Sequence, residues 1–141
     1  MIERTLFNRL SIFAGLTGLV GTKIYPIVLP QDCQLPAITY RRVSVPPREP
    51  MISKDTGTIQ PNFEITAWVS YSNPKTPGYT AYDQLCAIAL QIRLALERWQ
   101  DEANGIFDTY IQDETEDFNF ESLCFYRVLT VEVVCQEETP E

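Results

Sequence analysis

No histidine occurs among the 141 residues of this chain. Its absence removes the side chain on which most nucleophilic triads and many metal centres draw. The four cysteines, Cys33, Cys86, Cys124 and Cys135, form no CxxC pair, so a zinc site would have to gather ligands from widely separated positions. Cys124 and Cys135 lie an odd number apart and face opposite sides of any continuous strand; buried free thiols are the expectation for this set. No apolar run approaches the roughly 20 residues that span a bilayer. Glu3 and Arg9 interrupt what would be the apolar stretch of a signal peptide, so a cytosolic product with no membrane contact is expected. Glycine is scarce, at six residues. Gly15, Gly18 and Gly21 precede the first expected strand and lack the order of a phosphate-cradling loop.

Basic residues are missing from one end. Residues 101–141 hold twelve acidic side chains against Arg127 alone, whereas residues 1–60 hold seven basic and four acidic ones. The net charge of −8 therefore conceals a polarity along the chain, and such polarity speaks to association more than to fold. One reading is an acidic end that aids solubility. The other is a head-to-tail contact between the basic part of one copy and the acidic part of the next, a geometry that closes into rings.

The most informative segment is 62–99. In NFEITAWVSY, Phe63, Ile65, Ala67, Val69 and Tyr71 share one face, and Glu64, Thr66, Trp68 and Ser70 the other, which is a strand. A turn cluster, SNPKTPG, follows. Thr80 and Asp83 then open a long helix with a capping-box spacing. Tyr82, Leu85, Ala89, Ile92, Leu96 and Trp99 form one stripe of that helix, while Leu90 and Leu94 fall on the opposite side. A monomer needs a single apolar stripe, so the second patch indicates a partner.

Elsewhere, periodicity predicts a helix over residues 2–14 stopped at Gly15, with Ile2, Leu6, Leu10 and Phe13 on one face. A short strand is expected near Lys23–Tyr25 and another over 37–45, where neither face is cleanly apolar, as at an edge or an interface. Residues 46–61 read as a long loop joining two arms of an antiparallel hairpin; loops beyond about 12 to 15 residues are commonly functional or disordered. Gly105 ends the long helix or its frayed continuation. Ile106–Gln112 reads as a strand, DETED (113–117) as a loop, Leu123–Cys135 as the longest strand, and 136–141 as an acidic tail. The expected fold is one domain over 1–141 of class α+β. It has a mostly antiparallel sheet of four to five strands, with an N-terminal helix and one long central helix packed on it.

No catalytic constellation emerges. Ser53 and Lys54 are adjacent in a loop and poorly pre-organised. Asp113, Glu114, Glu116 and Asp117 supply carboxylates for a hard cation or for acid–base work, but they lack the EF-hand's alternation, glycine and closing glutamate; a solvated acidic turn is the plainer reading. Trp68 has no basic neighbours for stacking on a nucleobase and fits better under a helix or at a subunit seam. Trp99 belongs with the core. The expectation is no enzyme, no cofactor and no metal.

In sequence the chain resembles the tail-terminator, or tail-completion, proteins of long-tailed bacteriophages. The resemblance rests on the N-terminal helix, KIYP at 23–26, LPAITY at 35–40 and FEITAWV at 63–69. The long helix at about 80–100 and the closing strand FYRVLTVEV at 125–133 complete it. It implies a virion protein, assembled in the host cytoplasm, that forms a hexameric ring at the head-proximal end of the tail. Such a ring caps the tail-tube protein, stops its polymerisation and receives the head–tail connector, while DNA passes through the lumen without specific binding. An acidic lumen lined by residues 101–141 would repel that DNA. Expected contact residues for neighbouring subunits or the tube are Arg41, Arg42, Arg48, Met51, Ile52 and Lys54, then Leu90 and Leu94, with Asp113, Glu114, Glu116 and Asp117 as acidic counterparts. The alternatives are a head-completion or connector adaptor ring, a small-ligand or cation-binding regulatory module using the acidic turn, and a carboxylate-dependent hydrolase.

Overall fold

Alternation along the strands decides which side of the sheet the helices cover. A computed structural model describes residues 2–44, 58–71 and 80–136. The strands are β1 (Ile24–Pro26), β2 (Ala37–Ser44), β3 (Thr58–Ile59), β4 (Asn62–Ser70), β5 (Ile106–Asn119) and β6 (Cys124–Gln136). In β4, Phe63, Ile65, Ala67 and Val69 are fully buried. Their partners across the ladder, Val131, Leu129, Arg127 and Phe125, necessarily share that face. The helices pack there: α1 (Ile2–Ile12), α2 (Ala14–Val20) and α3 (Ala81–Leu96). They close one core of Leu6, Leu10, Leu16, Ile38, Phe63, Leu85, Ile88, Ile92 and their neighbours. The class is α+β, as the sequence predicts.

The sheet runs β1-β2-β4-β6, with β5 on the far side of β6 and β3 extending the row past β4. All pairings are antiparallel except β1 with β2. β2 and β4 are the expected hairpin arms. Six strands replace the expected four to five because Thr58 and Ile59, assigned to the loop, pair with Gln136 and Cys135.

Three boundaries differ from the sequence reading. The first helix breaks at Phe13, whose ψ of 108° is extended, and a second helix runs on to Gly21. Gly15 is thus no stop: it lies in the first turn of α2, with the end of the Gln91 side chain resting against it. α3 ends at Leu96, because Glu97 is extended and Arg98 takes a φ of 60°. Gly105 instead caps a single 3-10 turn, Glu102–Asn104. The largest correction is DETED. It is no loop, because β5 continues to Asn119 and pairs residue by residue with β6 down to Cys124. At 14 residues β5, rather than β6, is the longest strand.

The cysteines follow their strand positions. Cys124 and Cys135 are buried on opposite faces of β6, and Cys33 and Cys86 are half-buried; all four are free. No described helix is long and apolar enough to cross a membrane.

Candidate interaction surfaces

The α3 surface comes first because the sequence singles it out. Thr80 Oγ1 accepts from the Asp83 backbone N–H at 3.0 Å, and Asp83 Oδ2 accepts from the Thr80 N–H at 3.2 Å, a complete capping box. Leu85, Ile88, Ala89, Ile92 and Leu96 are buried, whereas Leu90 and Leu94 are 52% and 56% exposed. The second apolar patch is therefore real. The expected stripe needs correcting at both ends. Tyr82 is 43% exposed and Trp99 is only partly buried against the core.

Tyr82 leaves the core because it has a polar partner. Its hydroxyl donates to Glu116 Oε1 at 2.8 Å. The other oxygen of Glu116 accepts from Arg127 Nη2 at 2.5 Å and from Arg127 Nε at 3.1 Å. Arg93 Nη2 donates to Glu114 Oε1 at 2.7 Å, and Arg127 Nη1 lies 3.6 Å from its second oxygen. Glu114 and Glu116 thus face α3, held between Arg93 and Arg127. Hydrogen bonds from Arg127 and then from Tyr82 keep the Glu116 carboxyl below the usual range. The bond to Glu116 raises the Tyr82 hydroxyl in turn. Burial, the largest influence, lowers Arg127, yet its bond to Glu116 together with the charges of Cys86, Glu116 and Glu114 outweighs it and raises the group. Arg127 Nη2 also reaches Cys86 Sγ at 3.5 Å. Nothing in the sequence marks Arg127 as the centre of this network except its solitude among acids.

Asp113 and Asp117 point to the other face, which carries no helix. Each is exposed and accepts its follower's backbone N–H: Glu114 N–H to Asp113 Oδ1 at 2.9 Å, and Phe118 N–H to Asp117 Oδ1 at 2.8 Å. Asp108 does the same for Thr109 at 2.9 Å. The four carboxylates read as one cluster are thus split between two faces. Among the described residues, no group of three or more His, Cys, Asp or Glu is placed to hold a metal ion.

Arg41 and Arg42 likewise diverge. Arg41 pairs with Glu64 at 2.6 Å on the helix-free face, and Arg42 pairs with Glu3 at 2.8 Å on the helix side. Arg48, Met51, Ile52 and Lys54 lie outside the described residues. Trp68 is on the helix-free face, not under a helix. Its Nε1 donates to Thr39 Oγ1 at 3.0 Å, and its ring centroid is 5.0 Å from that of Tyr126. With Thr66, Val128, Ile27 and Val28 these residues line a shallow cleft. At the β5–β6 turn a further apolar patch, unsuspected from sequence, groups Tyr71, Phe118, Phe120 and Phe125 within 6 Å of one another pairwise along a chain of ring contacts. Phe120 is 81% exposed.

These surfaces belong to a small α+β fold in which many charged side chains are paired with one another and apolar residues break out at several points. No family model and no curated protein matches the chain. Solved structures do match. A chain from the virion of a native gene transfer agent particle superposes with a TM-score of 0.71 at 15% identity, over 93% of this chain and 91% of that one. At that identity the likeness establishes a shared fold.

Proposed function

We propose that this chain is a structural subunit of a phage-like virion and, within it, the tail terminator. It forms a ring, of six copies by the family resemblance, that caps the tail tube, stops its growth and presents a surface to the head connector. The observation that carries the reading is the near full-length fold likeness to a chain of a gene transfer agent virion, which supports the coarser part, a virion structural role. The finer part rests on the sequence resemblance together with the exposed Leu90 and Leu94. A role of this kind asks for docking surfaces and no reaction centre. In this reading DNA passes through the ring without being bound by sequence.

The test is removal of the protein from an assembling particle, followed by electron microscopy of the tails. Overlong tubes are expected, and adding the protein back should restore length and place a ring of six at the head-proximal tip. Tails of normal length that fail to join heads would move the protein to the head-completion ring. A chain that never associates, even with tail tubes, would overturn both.

A further inference from the structure

We propose that neighbouring copies join through side chains, the acidic outer edge of β5 in one copy seating against arginine-lined clefts beside β2 in the next. This inference rests on the ring-forming reading and names the two surfaces that meet.

The sheet ends differently on its two sides. At one end β1 covers only Ile38–Tyr40 of β2. Beyond it, Arg41–Ser44 have no strand neighbour on that side among the described residues. Two adjoining clefts, each of about 390 Å³, open there. Arg4, Arg41, Arg42, Tyr40 and Ile27 contribute to their walls, together with Glu3, which pairs with Arg42 and leaves Arg4 and the exposed side of Arg41 to face a neighbour. Arg4 is exposed, and Arg42 Nε is buried with no hydrogen-bond partner. The exposed Arg4 gives an incoming carboxylate a charged group to meet.

At the other end the outer edge of β5 is closed to strand addition. The Ile111 N–H donates to Glu97, the Thr109 carbonyl accepts from the Arg98 N–H, and Asp108, Asp113 and Asp117 take the N–H groups of Thr109, Glu114 and Phe118. Inward use of edge donors in this way blocks backbone pairing with a second chain. It uses one oxygen of each aspartate, however. Among the described residues neither Asp113 nor Asp117 has an ion-pair partner, and both are exposed. What this edge offers is negative charge rather than a ladder.

Symmetry then selects the partner. A two-fold contact between β5 edges would set Asp113 and Asp117 against their own copies, which is repulsive. A head-to-tail contact sets each acidic edge against an arginine cleft, and repetition of that contact closes a ring. The occupant is a second copy of this chain.

The test is charge-swap complementation. One variant carries Arg4→Glu with Arg41→Glu, the other Asp113→Lys with Asp117→Lys. Each alone is expected to associate at least about tenfold more weakly than the parent, from like charges brought together. Mixed in equal amounts they should assemble again, in alternation, because each cleft then meets an oppositely charged edge. Sedimentation velocity, with and without tail tubes, reads the result. Parental assembly by both variants alone, or no rescue on mixing, would overturn this contact while leaving the ring intact. A parent that stays monomeric even on tubes would remove the ring reading and this contact with it. Should a charge reversal misfold, Arg4→Gln and Asp113→Asn apply the same test by loss of charge. Asparagine keeps the backbone cap, so unchanged association would again refute the contact.

Discussion

Replacing Leu90 and Leu94 with aspartate separates a surface role from a core role. Each leucine is about half in water, at 52% and 56% exposure. Full burial of a leucine is worth about 1.5–3 kcal/mol, so the buried half contributes about 1 kcal/mol per residue. Aspartate adds about 0.5 kcal/mol of helix propensity cost at each position. The double variant should therefore lose about 3 kcal/mol, less than the about 5–15 kcal/mol typical of a folded domain. For a chain of this length that is a fall of about 12 °C in Tm. Ile88→Asp, at a fully buried neighbour on the same helix, places an unpaired charge in the core and should abolish folding. The assay is a circular-dichroism melt of all three proteins, followed by binding of the folded ones to tail tubes. The Leu90→Asp/Leu94→Asp protein is expected to fold and to assemble poorly. Collapse like that of Ile88→Asp would show that both leucines are core. A folded double variant with parental assembly would show that the patch touches no partner.

Thr80→Ala removes the acceptor of the Asp83 N–H and should cost about 1 kcal/mol, read as a shift in urea midpoint with no change in slope. Arg127→Met leaves Glu116 and one side of Glu114 without their guanidinium partner; a loss of about 2 kcal/mol is expected, and a midpoint equal to the parent's would show the network to be idle. The carboxyls of Glu116 and Asp108 are both held below their ordinary range. For Asp108, burial opposes that shift and is outweighed by bonds from Tyr110 and Thr109 and by Arg98. Groups of lowered pKa contribute stability that is present above the ordinary carboxylate value of about 4 and is lost as pH falls through the folded value. Urea midpoints should hold steady from neutral pH to about 5 and then drop, less steeply in Glu116→Gln; a midpoint that rises on acidification would contradict the assignment.

Local pattern was enough where one physical force acted alone. In β4 the residues that meet the helices alternate with those that do not, although Thr66 is buried on the helix-free face as well. The start of α3 was legible because a capping box is a contact between residues three apart. The break at Phe13 was not, since the apolar positions of α1 and α2 continue across it. Tyr82 was misplaced for a similar reason: periodicity puts it on the core stripe, while Glu116, 34 residues away, draws its hydroxyl outward.

β5 shows why counting charge along a chain misleads about where charge is displayed. Five residues with four carboxylates read as a solvated turn, since a strand of like charges has no reason to form alone. What permits it is alternation. Every second residue turns inward, where Arg93 and Arg127 neutralise Glu114 and Glu116, and the others turn outward, where Asp113 and Asp117 satisfy the backbone of their own edge. The acidic end of the molecule is thereby halved on one side and sharpened on the other. Likewise the basic end spends part of Arg41 on Glu64 and part of Arg42 on Glu3. The complementarity left for a neighbour is therefore smaller than the sequence polarity implies, and is confined to two strand edges at opposite ends of one sheet. A contact built from so few charges should be sensitive to salt, because exposed ion pairs are screened within about 10 Å at moderate ionic strength. Stable rings then need the apolar surfaces as well, which makes Leu90 and Leu94 the complement of the charged edges rather than their rival.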